Sequence, residues 1–405
     1  MLTIGKRYFE KNGKFFPYLA DTAWTLLQRL SRGETVYYLD KRLKQGFNAV
    51  QVSAISELDG VRKPTVDGLL PFVNGNVKRP CRAYFDKLCF LADECEKRGM
   101  VLTLLPYWGD KFNLKWGAGP EIFTPDNAAV YGRFLAGVIG KRENIIWMLG
   151  GDRPIEGHTH REIIDETARG LREGEKVRHL MTYHPNGENS SAFFLRDAEY
   201  IDFHCLQSGH SFGGFKSDKL LHKTIVIGKK PAMDAESFYE DFPIDFDLSW
   251  NYRLSPLDIR RRIYGNMLMG AAGHTYGHQS VWCFKEKADD EYLFDWKTAL
   301  DRPAANQMRN INRLLCAVDI MSAKSAARPN GIRVLEGADF AVSYFDSAEP
   351  RFLERKRSSQ LKYVTWFDPE KGEFSESFLS KNEKFTAISP FGHDAAIIFS
   401  ENRIN

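Results

Sequence analysis

Eight short apolar runs follow one another between residue 15 and about residue 315, and most are separated by stretches with helical spacing. They are "FFPYLADTAW" (15–24), "FNAVQVSAISELDG" (47–60), "MVLTLLPYWGDK" (100–111) and "NIIWMLGGDRP" (144–154), then "RHLMTYHPNG" (178–187), "YIDFHCLQSGH" (200–210), "KKPAMDAESFYED" (229–241) and "GAAGHTYGHQSVW" (270–282). Apolar runs that end in polar or aromatic residues suit strands buried on both faces. The stretches between them carry helix punctuation. In "RAYFDKLCFLADECEKRG", Tyr84, Leu88, Leu91 and Cys95 share one stripe, and lysine, arginine and glycine close it. Thr124–Pro125 and Ser255–Pro256 each place a capping hydroxyl before a proline at the first helical position. Strand and helix alternating eight times predict an α/β fold, a (β/α)8 TIM barrel, which needs ~250 residues.

Beyond "RPAANQMRNINRLLCAVDI" the helical intervals stop. The runs "GIRVLEG", "DFAVSYFD", "LKYVTWFD", "KFTAIS" and "DAAIIFS" are short and partly alternating, with turn residues between them. They predict a small all-β sandwich, dividing the chain into a catalytic barrel over 1–321 and a sandwich over 322–405. The basic cluster "PRFLERKR" (350–357) reads as a solvated hairpin tip. Lys+Arg at 56 against Asp+Glu at 53 is too even for a nucleic-acid partner, and no apolar run approaches the ~18 residues of a membrane span. The amino terminus, "MLTIGKRYFEKNGKFF", has no apolar leader core, and none of the six cysteines forms a C-x-x-C pair. The expectation is free thiols in a reducing, cytoplasmic compartment. A homo-oligomer is compatible with the sequence but not specified by it.

In such barrels the reactive groups stand at the carboxyl ends of the strands. Strand one ends near Asp21 and Trp24, strand two near Glu57, and strand three near Trp108, Asp110 and Lys111. Asp152 and Arg153 follow strand four, His184 strand five, and Gln207 and His210 strand six. Glu236 and Tyr239 follow strand seven, and His274, Tyr276 and His278 follow strand eight, with Trp282 beyond. Carboxylates, amides and imidazoles among indoles suit an oligosaccharide, whose hydroxyls need polar partners and whose ring faces pack on aromatics. Glycosidic cleavage needs two carboxyl groups. Asp234 and Glu236 lie two apart, so both are expected on one face of strand seven, with Asp234 a layer deeper and Glu236 at the rim. Glu236 is then the nucleophile and Asp152 the acid/base. Neighbouring Glu236 would raise the proton affinity of Asp152, and Arg153 would lower it if its guanidinium points inward. Asp21 could equally cap the following helix, and Lys111 and Arg153 could pair an acidic sugar. No metal or organic cofactor is expected. Two other readings remain: a metal-dependent barrel hydrolase using His204, His210, His274 and His278, and a sugar-binding protein without catalysis.

The motifs "LADTAW", "QGFNAVQ", "ELDG", "LLPYWGDK", "GPEIFTP", "NIIWMLGGDRP", "HLMTYHP", "QSGH", "DAESFYED" and "GHTYGHQSVW" resemble, in order, the apiosidase-like glycoside hydrolases of family 140. The resemblance covers the whole barrel and runs on into the sandwich that usually follows. It implies a retaining glycosidase acting on apiose linkages in the pectin rhamnogalacturonan II. It also implies an acid/base at the aspartate of "GGDR", Asp152, and a nucleophile at the glutamate of the "D-x-E-x-x-Y-E" pattern, Glu236. Relatives commonly carry a secretion leader. Without one, the expectation is a cytoplasmic enzyme finishing imported oligosaccharides.

Overall fold

A computed structural model describes residues 1–327, 333–354, 361–380 and 384–404. Its centre is a parallel barrel of β1 (Leu19–Thr22), β2 (Ala49–Ser53), β3 (Val101–Leu105), β4 (Ile145–Gly150), β5 (Leu180–His184), β6 (His204–Gln207), β7 (Ala232–Glu236) and β8 (His274–His278). Hydrogen-bonded neighbours run from β5 back to β1 and on through β8 and β7 to β6. Between β5 and β6 isolated bonds replace a ladder, among them Asp202 N–H to the Met181 carbonyl (2.8 Å) and Thr182 Oγ1 to the Phe203 carbonyl (2.7 Å).

The helices follow their strands: α1 (Arg32–Lys44), α2 (Arg82–Lys97), α3 (Pro125–Ile139), α4 (Gly157–Gly174), α5 (Ala192–Leu195), α6 (Ser217–Gly228), α7 (Pro256–Leu268) and α8 (Arg309–Cys316). Ser255 caps α7 through a reciprocal pair with Asp258, as its place before Pro256 predicts. The stripe Tyr84, Leu88, Leu91 and Cys95 is buried on α2. The fifth unit departs from the pattern. Its helix is a single turn, and the short strand Asn189–Ser190 pairs antiparallel with β6 instead.

Side-chain alternation divides the core into two layers. One set fills the lumen, with Ala20, Ala49, Ile146, Met148, Cys205 and Met233 among it. The other faces the helices and includes Leu19, Val50, Trp147, Met181 and Leu206. A three-stranded meander (Leu2–Ile4, Phe9–Lys11, Lys14–Phe15) adds Leu2 and Phe9 to the lumen cluster. Phe9 packs 4.9 Å from the Tyr18 ring and 5.1 Å from Phe203, stopping the barrel at one end.

Past the barrel lies the antiparallel sheet Lys324–Ala327, Arg333–Glu336, Phe340–Phe345, Ala395–Ser400, Tyr363–Asp368 and Glu373–Phe374, with Phe378–Leu379 beside the fifth of these. Arg351–Glu354 and Lys384–Ala387 make a separate two-stranded ribbon. Of the basic cluster at 350–357, residues 355–357 lie outside the described residues. The sheet is fastened to α7: Arg260 grips Asp394 at 2.7 and 2.9 Å, and the Tyr264 and Tyr344 rings stack at 4.8 Å.

The two-layer rule corrects one expectation. Asp21 pairs in register with Val50, so it faces the helices and not the lumen. It is fully buried, bonded by Arg42 Nε and Tyr38 Oη of α1, each at 2.6 Å. Asp21 therefore locks α1 to β1; it neither caps a helix nor meets a ligand. Removing one partner of such a pair leaves a buried, uncompensated charge. Asp21→Ala is expected to lower unfolding free energy by about 3–5 kcal/mol in a denaturant titration. An unchanged midpoint would show that the pair contributes nothing.

Candidate active site

A cavity of about 620 Å3 opens where the lumen meets the carboxyl ends of the strands. That volume suits a small-molecule site. How Glu236 reaches it is not what simple alternation gives. Along β7 and β6 the register runs Cys205 with Met233, Leu206 with Asp234, then Gln207 with Glu236. Ala235 is the extra residue of a one-residue bulge, and such bulges re-aim side chains. Met233 and Ala235 belong to the lumen. Asp234 faces outward like its partner Leu206, taking bonds from the Ser208 N–H (3.2 Å) and Asn266 Nδ2 of α7 (3.2 Å). The expectation that Asp234 and Glu236 share a face is therefore corrected: the bulge separates them and turns Glu236 inward.

Glu236 sits between two imidazoles. His210 Nε2 bonds Oε1 at 3.1 Å, and His184 Nε2 stands 3.2 Å from Oε2. Burial alone would raise the pKa of Glu236. The two rings outweigh it and hold the carboxyl down at about 2, so it is ionised. Asp152 has the opposite bias. Burial and the negative Glu236 push it above the usual carboxylate range, and Arg153 only partly opposes them. The same His184 ring joins the two acids, because Asp152 N–H reaches its Nδ1 at 3.3 Å.

The turn that presents Asp152 is tight. Gly151 adopts φ 122°, and its carbonyl accepts the Gly109 N–H at 3.1 Å. A Cβ on Gly109 would lie 2.4 Å from that carbonyl oxygen, so this crossing needs glycine. Asp152 itself has φ 51°, a strained value for a residue with a side chain. Arg153 then folds back beneath the site. Fully buried, it spans Asp152 Oδ2 and Glu57 Oε1, each at 2.8 Å. Burial pushes Glu57 up to about 7 against the pull of that guanidinium. Arg153 is thus one cation shared by two acids.

Besides Asp152 and Glu236, six expected ligand residues line the cavity: Trp24, Glu57, Trp108, Gln207, His210 and Tyr239. Trp24 Nε1 donates to Tyr239 Oη at 2.7 Å, which sets both rings. Other expectations fail for stated reasons. Asp110 and Lys111 are fully buried and paired at 2.8 Å, with Asp110 accepting the Gly119 N–H and Lys111 donating to the Gly119 carbonyl. They anchor the loop after β3, and neither Lys111 nor Arg153 is free to bind an acidic sugar. On β8, Thr275 pairs with lumen residue Ala20, so His274, Tyr276 and His278 face the helices. Tyr276 there donates to Glu240 (2.7 Å) and His278 bonds Asp241 (3.1 Å). The four histidines weighed for a metal do not converge: His204 bonds Ser191 and His210 bonds Glu236.

Sequence reasoning missed Trp116, whose Nε1 donates to Asp152 Oδ2 at 2.8 Å while Arg153 lies 4.7 Å beneath its ring. Its one signal was a tryptophan in a glycine-rich stretch, "KWGAGP", on the reactive side of the barrel. Gln279, Glu188 and Phe246 also line the cavity from loops with no comparable signal.

A barrel whose open end brings together an aspartate of raised proton affinity and a glutamate of lowered proton affinity fits a glycoside hydrolase. Solved structures agree. A glycoside hydrolase family 5 protein from Bacteroides vulgatus superposes with a TM-score of 0.86 at 28% identity, over 99% of this chain and 93% of its own. A second glycoside hydrolase gives 0.85 at 25% identity, over 99% and 97%. An α-amylase from Malbranchea cinnamomea, 11% identical, shares the fold alone, at 0.56 over 95% and 96%. The protein is a glycosidase. More narrowly, the sequence profile described as apiosidase-like, catalytic domain matches residues 4–322, and the chain belongs to that family. A comparison with curated proteins gave no match. Among the described residues no helix is long and apolar enough to cross a membrane.

The coupling of the two acids has a measurable sign. Glu236→Gln removes the like charge that favours protonated Asp152, so Asp152 should ionise at lower pH than in the parent. Carbon-13 NMR titration of the Asp152 carboxyl reads this directly. A midpoint that stays put or rises would mean the charges do not interact.

Proposed function

We propose that the protein is a retaining, apiosidase-like glycosidase that releases an uncharged sugar from rhamnogalacturonan II oligosaccharides, with residues 1–321 carrying the chemistry. The observation behind this reading is the opposite protonation bias of Asp152 and Glu236 at one cavity. Glu236 attacks the anomeric carbon as Asp152 gives its proton to the departing oxygen. The sugar is then held as an ester on Glu236. Asp152, now a base, takes a proton from water, which displaces Glu236 and restores both starting states. His184 and His210 keep the nucleophile ionised, and the Trp116 N–H and Arg153 steady the aspartate while it is negative. Trp24, Trp108 and Trp282 line the cavity that would hold the ring.

Charge supports a neutral sugar at the cleaved position. The cavity is lined by the acids Glu57, Asp152, Glu188, Glu236 and Glu291, with no lysine or arginine among the lining residues. Apiose is neutral, in keeping with the family's name. The six unpaired cysteines support action in a reducing compartment, on oligosaccharides already imported.

The test is a set of rhamnogalacturonan II oligosaccharides incubated with wild type, Asp152→Asn and Glu236→Gln, with released sugars read by mass and linkage. Wild type should release one neutral sugar, and Asp152→Asn should cut kcat by about 10²–10⁴-fold. Proton NMR of the first product should show the substrate's anomeric configuration. Inverted product, or full activity in either variant, contradicts the assignment.

A further inference from the structure

Beside the cavity, on the loops after β6 and β7, stands a group of exposed rings. Phe246 is 70% exposed, Trp250 58% and Phe212 46%. Three large apolar side chains gathered on one surface usually mark a binding site. The loop that carries two of them is well held. Pro243 bridges Arg253, Ile244 N–H bonds the Tyr252 carbonyl at 3.1 Å, and Asp245 N–H bonds the His210 carbonyl at 3.1 Å. Asp245 Oδ1 in turn accepts the Phe212 N–H at 3.1 Å, tying the two loops together. The Phe212 and Trp250 rings meet edge to face at 5.3 Å.

Two features connect this shelf to the chemistry. Phe246 lines the cavity, and its ring lies 5.0 Å from Phe242 and 5.9 Å from His210, which itself bonds Glu236. Phe246 also adopts φ 63°, a left-handed backbone conformation that is strained for a bulky residue. Mostly exposed despite those two contacts, the ring gains little from burial to offset that strain. Strain of this kind gathers at ligand clamps.

We infer that Phe212, Phe246 and Trp250 form a second sugar subsite, which seats an uncharged unit of the same oligosaccharide next to the unit being cleaved. The inference rests on the carbohydrate reading of the cavity and extends it to substrate length. Ring faces suit the apolar C–H face of a sugar. Carboxylates beside the shelf are those of Glu188, Asp245 and Asp247, while the guanidinium of neighbouring Arg253 is turned to the carbonyls of Asp241, Asp290 and Glu291. Glu188 is bonded by Ser211 Oγ and lines the cavity. Asp247 is bonded by the Ser249 N–H. A uronate set against these acids would be repelled, so the shelf selects neutral sugars.

Binding, read without turnover, decides the matter. The Glu236→Gln enzyme is titrated calorimetrically with neutral and uronate-ended rhamnogalacturonan II oligosaccharides of two to four units, and with the matching monosaccharides. Trp250→Ala and Phe212→Ala are added to it in turn; both side chains are exposed and outside the cavity lining, and melting temperature checks the fold. Each should weaken neutral oligosaccharides about tenfold and leave monosaccharides unchanged. Oligosaccharides that bind no tighter than monosaccharides, equal losses on both, or no binding at all would overturn the subsite. Wild type that binds these chains without cleaving them sinks the hydrolase reading and leaves the shelf standing.

Discussion

Alternation of side chains across a closed parallel sheet decides which acids of this protein can do chemistry. Every strand sends one parity into the lumen and the other under the helices, so a carboxylate's position in its strand sets its environment. Asp21 and Asp234 have the outward parity and become clasps for α1 and α7. Glu236 would share that fate. One extra residue, Ala235, breaks the count at the last step of β7 and delivers the glutamate to the cavity. The site therefore depends on a local irregularity in an otherwise regular cylinder.

Once there, the two acids are differentiated by what surrounds them. Both are buried, which by itself favours protonation of each. Glu236 escapes because two imidazoles face its oxygens. Burial raises the proton affinity of Asp152 instead, and Arg153, which also serves Glu57, opposes it only in part. The negative charge of Glu236 adds to the proton affinity of Asp152. The proposed mechanism assigns the donor and the attacking group to these two carboxyl groups on that difference of environment.

The barrel was legible in the sequence because its cause is periodic: eight apolar runs and helix caps such as Ser255 recur with the unit. That Asp152 and Glu236 lie at the carboxyl end of the barrel was legible because polar groups following a buried strand there have one main outlet. The errors have separate local origins. Counting by twos put Asp234 beside Glu236, and nothing in "PAMDAES" announces a bulge. On β8 the histidines looked exposed by their polarity, yet the register with β1 assigns the lumen to Thr275. Lys111 and Asp110 are consecutive residues that pair with each other inside the loop they support, a contact no spacing rule reveals. Trp116 and the Phe246–Trp250 loop lie in irregular segments, where sequence patterns carry little geometry.

The claim on which the rest turns is that Glu236 forms a bond to the sugar. A fluorinated glycoside of the released sugar with a good leaving group should react once and then stall. Peptide mass mapping should find one sugar mass on the peptide that holds Glu236, and none in Glu236→Gln. A sugar carried on Glu57 or Asp152, or steady turnover to inverted product with no adduct, would contradict the account.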